Sequence, residues 1–540
     1  MNTDASETFD PPPRIVRPRA RQHKKLPIVA IHGQETLTEN GEMGKLADLV
    51  ATLPELEPTL FVKYMGADFL AGLDAKFANL PNWQWHVTER ERVITRPDGV
   101  RAGARVTTVV HFFGFKKGNY HKMIDPVTMT ARSLDDVWPS DKPKIVRLME
   151  WAVTLRDFCD ENNMEVRPTT GGISAQFLTD PRFYPHARRK VPKLTNNSVR
   201  ERLPGNFYYL SVRPGPKREY TAYYIDQHRA HHYHAQNTPL PHADGLYAMG
   251  DFQNFDTVMF PEVWDDFYGL YCLDLNTPKQ RRTSSYVREW LKHGIMDEVL
   301  EKRFVYSNEI QFLRDMGYTV RGVRAAWGSH RQDEGLAKYA EWAMEQLDRY
   351  GSAPWIKPLL LSTYGTLATR PKIAETVWKQ SKRGEPVTLA TGQNKLHGML
   401  TKGRTKIEPR IANVLHRGMI EAATRVESIS YAYYLTSKNH RILSIYADAI
   451  IVQVDDDDPD LPLIVDPWRM KDTLNHLQFI NTQSFQSGEM TRMPGVPGIS
   501  KDAARHRQAS PGRAPRILEK YEALTGRLIR VDTRTGIEVK

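Results

Sequence analysis

Residues 440–454 read HRILSIYADAIIVQV, two apolar runs with a single aspartate, Asp448, between them. The runs are short and rich in isoleucine, so they predict a tight pair of β-strands turning at or beside Asp448. An apolar strand that buries its side chains seldom carries a bare carboxylate without a reason. A second such position lies upstream, where residues 219–226, EYTAYYID, form an aromatic-rich strand ending on Asp226. Taken singly, each is as readily a turn or cap aspartate. Taken together they match what phosphoryl transfer demands, because two divalent metals about 4 Å apart must be clamped by carboxylates on neighbouring strands.

A third element joins them. Residues 355–371, WIKPLLLSTYGTLATRP, predict a helix with Lys357 and, seven positions on, Tyr364 followed by Gly365. That spacing puts Lys357 and Tyr364 on one helix face, where a cation can hold a triphosphate and a ring can pack against an incoming base or the template.

These residues, in this order, resemble the family B DNA polymerases, and within them the protein-primed polymerases of bacteriophages and linear plasmids. The family's fingers motif runs Lys, three residues, Asn-Ser-x-Tyr-Gly; Lys357, Ser362, Tyr364 and Gly365 match it and Leu361 replaces the asparagine. Its last palm motif, Asp-Thr-Asp-Ser before an apolar strand, aligns Asp448 with the second aspartate and Tyr446 with the first. Its first palm motif, Asp-x-x-Ser-x-Tyr-Pro, keeps Asp226 but has His231 where the family has the tyrosine that excludes ribonucleotides, with Tyr233 nearby. Gly205, in LPGN at 203–206, aligns with the linker between the exonuclease and polymerase halves. Arg492, in TRMPGV, stands in a segment that touches primer-template, and Gln483, Ser484 and Phe485 replace a neighbouring primer motif.

The resemblance implies a multidomain α/β and α+β fold, with an exonuclease-like (RNase H-like) domain followed by a palm, fingers and thumb right hand. Residues 1–26, basic and proline-rich with too few apolar residues to fold, read as a disordered tail, and the resemblance implies the exonuclease-like domain over 27–200 and the polymerase over 201–540. Asp226 and Asp448 are then the catalytic residues holding two Mg²⁺ or Mn²⁺ ions. Lys357, Tyr364, His231 and Tyr233 are expected at the nucleotide, and Gly205, Gly365 and Arg492 at the DNA. The intervals from Asp226 to Lys357 and from Tyr364 to Asp448 leave room for the insertions that contact a terminal priming protein and encircle DNA. Expected partners are primer-template DNA, dNTPs and that priming protein. Two other readings stand beside this one: a catalytically inactive polymerase-like DNA-binding protein, and a primase-like enzyme accepting ribonucleotides.

The N-terminal domain departs further from the pattern. Family members place Asp-x-Glu at the end of the first strand; VAIHGQET at 29–36 has His32 and Gln34 there, with Glu35 one residue on and expected on the opposite strand face. The later Tyr-x-x-x-Asp aligns with Trp151 and Leu155. Asp68 is the one metal ligand left on this alignment, and Asp135, Asp136 or Asp157 are the alternatives if the domain is shifted. The expectation is a polymerase without proofreading.

Composition fits these expectations. The net charge of +11 suits a polyanionic partner, since neutralising phosphates releases condensed counterions. Two cysteines, Cys159 and Cys272, are too few for a disulfide framework or a zinc cage, and no apolar run is long enough for a membrane span. A cytoplasmic protein is expected. The histidines 228, 231, 232 and 234 lack the second ligand pair that a zinc site needs, Asp455 to Asp458 read as a solvated turn, and Lys338 and Arg349 are as readily surface charges as phosphate ligands. Helices are expected at 144–162, across 287–350 and at 410–435; strands at 27–33 and 106–115; and a hairpin joining 206–212 to 219–226.

Overall fold

A computed structural model of the chain describes residues 26–52, 59–64, 140–167, 169–184, 202–212, 219–242, 246–250, 254–278, 285–333, 335–351, 355–368, 413–453, 466–481 and 484–487, with the backbone of further strands between 84 and 124, 372 and 407, and 490 and 532. Residues 1–25, 213–218, Asp68, Asp135, Asp136, Asp455 to Asp458, Gln483 and most of the basic tail from 500 lie outside the described residues. Among the described residues no helix is long and apolar enough to cross a membrane.

The N-terminal unit is built on a nine-stranded mixed sheet. Its centre pairs Ile28–His32 with Leu60–Tyr64, and Leu60–Tyr64 with Asn119–Ile124, both in parallel. Helix Lys144–Glu161 buries Leu148, Trp151, Ala152, Leu155 and Phe158, a stripe at helical spacing. The stripe packs onto Ile28, Ala30, Leu60 and Val62 of the sheet. The expected single strand over 106–115 is instead an antiparallel pair, with Thr107 opposite Val110. Its run VTTVV holds no glycine, proline or asparagine to announce a turn.

The second unit centres on a seven-stranded sheet in the order Tyr208–Leu210, Ile442–Tyr446, Ala449–Gln453, Tyr220–Gln227, Trp468–Asn481, Ser484–Ser487 and Met490–Arg492. The expected hairpin between 206–212 and 219–226 does not form, because the two strands around Asp448 lie between them. Strand Tyr220–Gln227 is apolar on both faces, so pairing on both edges with aliphatic strands buries more than a local hairpin would. Alternation sorts its residues cleanly. Ile225, Ile445, Ile450 and Val452 face the long helix Val414–Ser437, while Ala222, Tyr224, Tyr446, Ala449 and Ile451 face the other way. Asn413 caps that helix, its side chain accepting from the His416 N–H at 3.2 Å.

The stretch 287–350 is not mainly helical. Helices Ser285–Leu291, Ser307–Asp315 and Ala337–Arg349 are interrupted by strands Val299–Tyr306 and Thr319–Ser329. These two join Tyr247–Gly250 and Tyr268–Asn276 in a four-stranded antiparallel sheet. Charges inside the strands hide them from a reading by hydrophobic period. Arg324, for example, is buried and donates to Asp274 at 2.8 Å, where a sequence counts two surface residues. Between Tyr364 and the long helix, a three-stranded sheet spans Lys372–Gln380, Pro386–Leu389 and Leu400–Ile407. Both intervals around the candidate site therefore hold inserted β-structure.

Candidate active site

Cross-strand pairing lays one row of residues across the central sheet. Tyr208 lies opposite Tyr446, Tyr446 opposite Ala449, Ala449 opposite Asp226, and Asp226 opposite Arg469. Directly opposed residues share a face, so Asp226 stands on the sheet surface away from the long helix. Asp448 sits at the rim of the same face, in the turn between Ile442–Tyr446 and Ala449–Gln453. The fold thus sets Asp226 of one strand beside the turn that carries Asp448 into the neighbouring strand. Tyr446 is 7% exposed and meets Tyr208 edge to face at 5.1 Å.

The Asp448 turn is held from below. Ala447 adopts φ +54°, uncommon for a residue with a side chain, and its carbonyl lies 2.7 Å from the Ser428 hydroxyl. The Gln227 amide donates to Ser428 at 2.8 Å, and Gln227 Oε1 lies 2.7 Å from His234 Nε2. Backbone bonds add to this, from Ala447 N–H to the Phe207 carbonyl at 2.8 Å and from Gln227 N–H to the Asp448 carbonyl at 2.8 Å. Burial and the neighbouring Asp226 charge push the Asp448 carboxyl up to about 6, against the pull of its own N–H, Lys471 and Lys357. The two aspartates and two lysines therefore share one electrostatic site.

Helix Ile356–Leu367 forms as expected, but its two signature residues separate. Lys357, in the first turn, is exposed beyond the packed layer. Tyr364 is fully buried, its hydroxyl 2.8 Å from His232 Nδ1 and its ring against Tyr339 at 5.9 Å. In this arrangement the Tyr364 ring does not present itself to a base, contrary to the expected contact. Gly365 follows on the exposed side, with open space where a side chain would be.

The histidines line the same layer, on helix Ala230–Asn237. His231 is half-buried, 5.7 Å from the Tyr364 ring, and burial holds it neutral, down at about 3. His232 and His234 are also held neutral by burial, at about 4. The neutral rings of His232 and His234 serve Tyr364 and Gln227 as packing groups. Tyr233 points the other way and is 36% exposed. Arg229, in the left-handed region at φ +55°, pairs with Asp348. Arg349 pairs with Glu161 at 3.1 Å, which accounts for it as a surface charge.

Gly205 is exposed, and its carbonyl accepts from Arg425, whose guanidinium is buried and paired with buried Glu309. For Arg492 the backbone alone is described, opposite Phe485. In the N-terminal unit, Trp151 and Leu155 are fully buried in the core. His32 ends its strand, Gly33 takes φ +59°, and exposed Gln34 completes a turn. Glu35 pairs directly opposite His32 and so shares its face, which corrects the expected opposite orientation. The strand turns back at Gly33 instead of continuing. Asp157 is paired with Arg156 at 2.9 Å.

Two features escaped the sequence reading. Lys471 donates to Asp226 Oδ2 at 2.8 Å and sits 5.1 Å over the Tyr224 ring. Gln227 and Ser428 brace the Asp448 turn. Gln227 follows Asp226 directly and so had a local signal, whereas Lys471 and Ser428 are distant in sequence and had none.

No protein-family model and no curated protein sequence matches the chain. Solved structures do. Phi29 DNA polymerase complexed with primer-template DNA, a post-translocation binary complex, superposes with a TM-score of 0.56 at 12% identity over 94% of this chain and 99% of that one. Phi29 DNA polymerase complexed with primer-template DNA and incoming nucleotide substrates gives 0.55 at 11% identity with the same coverage, and its complex with single-stranded DNA gives 0.53 at 12%. At such identity the likeness speaks for the fold alone, and the fold of this chain is similar to that of phi29 DNA polymerase over 94% of its length.

Proposed function

We propose that the chain is a template-directed DNA polymerase that extends a primer 3′ hydroxyl with dNTPs. The observation that carries this reading is the placement of Asp226 on its strand beside Asp448 in the turn that leads into the adjoining strand, with Lys471 and Lys357 close enough to act on Asp448. The central sheet is then the palm and helix Ile356–Leu367 belongs to the fingers. The two inserted sheets occupy the intervals where protein-primed relatives meet a priming protein and surround DNA, and initiation on a protein hydroxyl rests on that. The nine-stranded unit is the exonuclease-like domain, without proofreading.

Two carboxylates are a fitting donor set for Mg²⁺ or Mn²⁺, hard cations that pair one or two carboxylates with substrate phosphates and water. Asp226 and Asp448 would hold them. Bound there, such ions neutralise phosphate charge and make a primer hydroxyl a better nucleophile. The 3′ oxygen attacks the α-phosphorus and pyrophosphate leaves. The chain's own part is positioning. The Ser428–Gln227–His234 chain fixes the Asp448 turn, and the exposed Lys357 offers charge to the triphosphate. Nucleotide incorporation on a primed template, with dNTPs and rNTPs in parallel, tests the reading. Incorporation of dNTPs that follows the template is expected; incorporation of rNTPs alone, or none with DNA binding intact, overturns it.

A further inference from the structure

Strand Trp468–Asn481 breaks register against strand Tyr220–Gln227 at one point beside the site: Tyr224 pairs with Asp472 and Ile225 with Met470. Lys471 is the extra residue of that β-bulge. A bulge re-aims the side chain it carries, and here it delivers an ammonium to Asp226 Oδ2 at 2.8 Å, over the Tyr224 ring at 5.1 Å. On the other side of Asp226, beyond Ala449, the row holds Tyr446 and no carboxylate. The site therefore opposes two carboxylates with a cation already seated on one of them. Asp226 is only 22% exposed at its side chain, so its contact with Lys471 is less screened than a surface pair.

We propose that Lys471 is an internal counter-ion that occupies Asp226 in the metal-free chain and competes with divalent cations for it. The proposal rests on the polymerase reading of this site. Two divalent ions bring four positive charges against two carboxylates, and Lys471 and Lys357 add two more. A triphosphate supplies about four negative charges, so loading of metal is favoured once the nucleotide is present and the ammonium can turn to its phosphates. Lys471 is on this account a positioning and selectivity residue for metal, and the bulge exists to aim it.

Electron paramagnetic resonance of Mn²⁺ bound to the full-length chain tests this, comparing wild type, Lys471→Met, Lys471→Gln and Asp226→Asn, each checked for folding by thermal melting. Both lysine variants should bind Mn²⁺ about tenfold or more tightly than wild type. With a non-hydrolysable dNTP analogue present, the variants and wild type should differ by less. Unchanged or weaker Mn²⁺ binding in the lysine variants, while Asp226→Asn loses it, overturns the counter-ion and leaves the site. Mn²⁺ binding that survives Asp226→Asn unchanged overturns the site reading, and the counter-ion with it.

Discussion

The two large sheets of this chain differ in what stands at their strand ends. In the central sheet, strand ends place Asp226 and Asp448 side by side above a braced turn. In the N-terminal sheet, the corresponding strand ends in His32 and turns at Gly33, while Trp151 and Leu155 fill the core where a catalytic carboxylate would have to emerge. On the proposed reading, fold and chemistry have parted in the N-terminal unit and stayed together in the central one. The lesson is one of cost: a buried apolar pair such as Trp151 and Leu155 contributes roughly 1.5–3 kcal/mol per side chain to stability. Two neighbouring carboxylates repel each other, and here the Lys471 ammonium on Asp226 offsets part of that repulsion.

That contrast can be broken most directly at the carboxylates. Asp226→Ala or Asp448→Ala should lower primer extension by about 10³-fold or more, with DNA affinity largely kept. Substantial synthesis by either variant, measured at saturating Mg²⁺, would remove the contrast. Next in size is Arg425→Met, which leaves Glu309 buried without its partner and frees the Gly205 carbonyl. A loss of about 3–5 kcal/mol in chemical denaturation is expected. A loss near zero would mean that this junction does not hold the site together. Lys357→Ala should raise the KM for dNTP by roughly tenfold to a hundredfold, the scale of one lost charge contact, with kcat less affected. An unchanged KM would take Lys357 out of the site.

The smallest effect concerns stability and pH. The folded chain holds the Asp448 carboxyl at about 6, above its ordinary value near 4, so the folded state binds the proton more tightly than the unfolded state. Stability of the metal-free chain should therefore fall as pH rises from about 4 to 6, and stay lower above that. Asp448→Asn should remove the fall and raise stability at pH 7 by about 1–2 kcal/mol while ending synthesis. Equal stability of the two chains at pH 7, by thermal melting without metal, would count against a strained carboxylate there.

Much of this architecture is legible in the sequence where one element decides its own structure. The Asp448 hairpin, helix Lys144–Glu161 and helix Ile356–Leu367 each carry an unbroken period, and each forms where the period puts it. What the sequence hides depends on partners far along the chain. The supposed hairpin ending at Asp226 fails because strand Ala449–Gln453 claims one edge of Tyr220–Gln227 and strand Trp468–Asn481 the other. Strands Val299–Tyr306 and Thr319–Ser329 look helical because their charges, such as Arg324, are satisfied inside the fold. In the site, the aspartates are readable as exceptions within apolar strands. Lys471 is not, because its role arises from a register break that no local pattern announces.

The central claim is that synthesis survives in one unit while degradation has been lost from the other. A single labelled primer annealed to a longer template reads both, with Mg²⁺ or Mn²⁺, in wild type and in Asp226→Ala. Wild type should lengthen the primer when dNTPs are present and leave it intact when they are absent, and Asp226→Ala should leave it intact in both cases. Failure of wild type to lengthen a bound primer would contradict the account, and so would 3′ shortening without dNTPs that persists in Asp226→Ala.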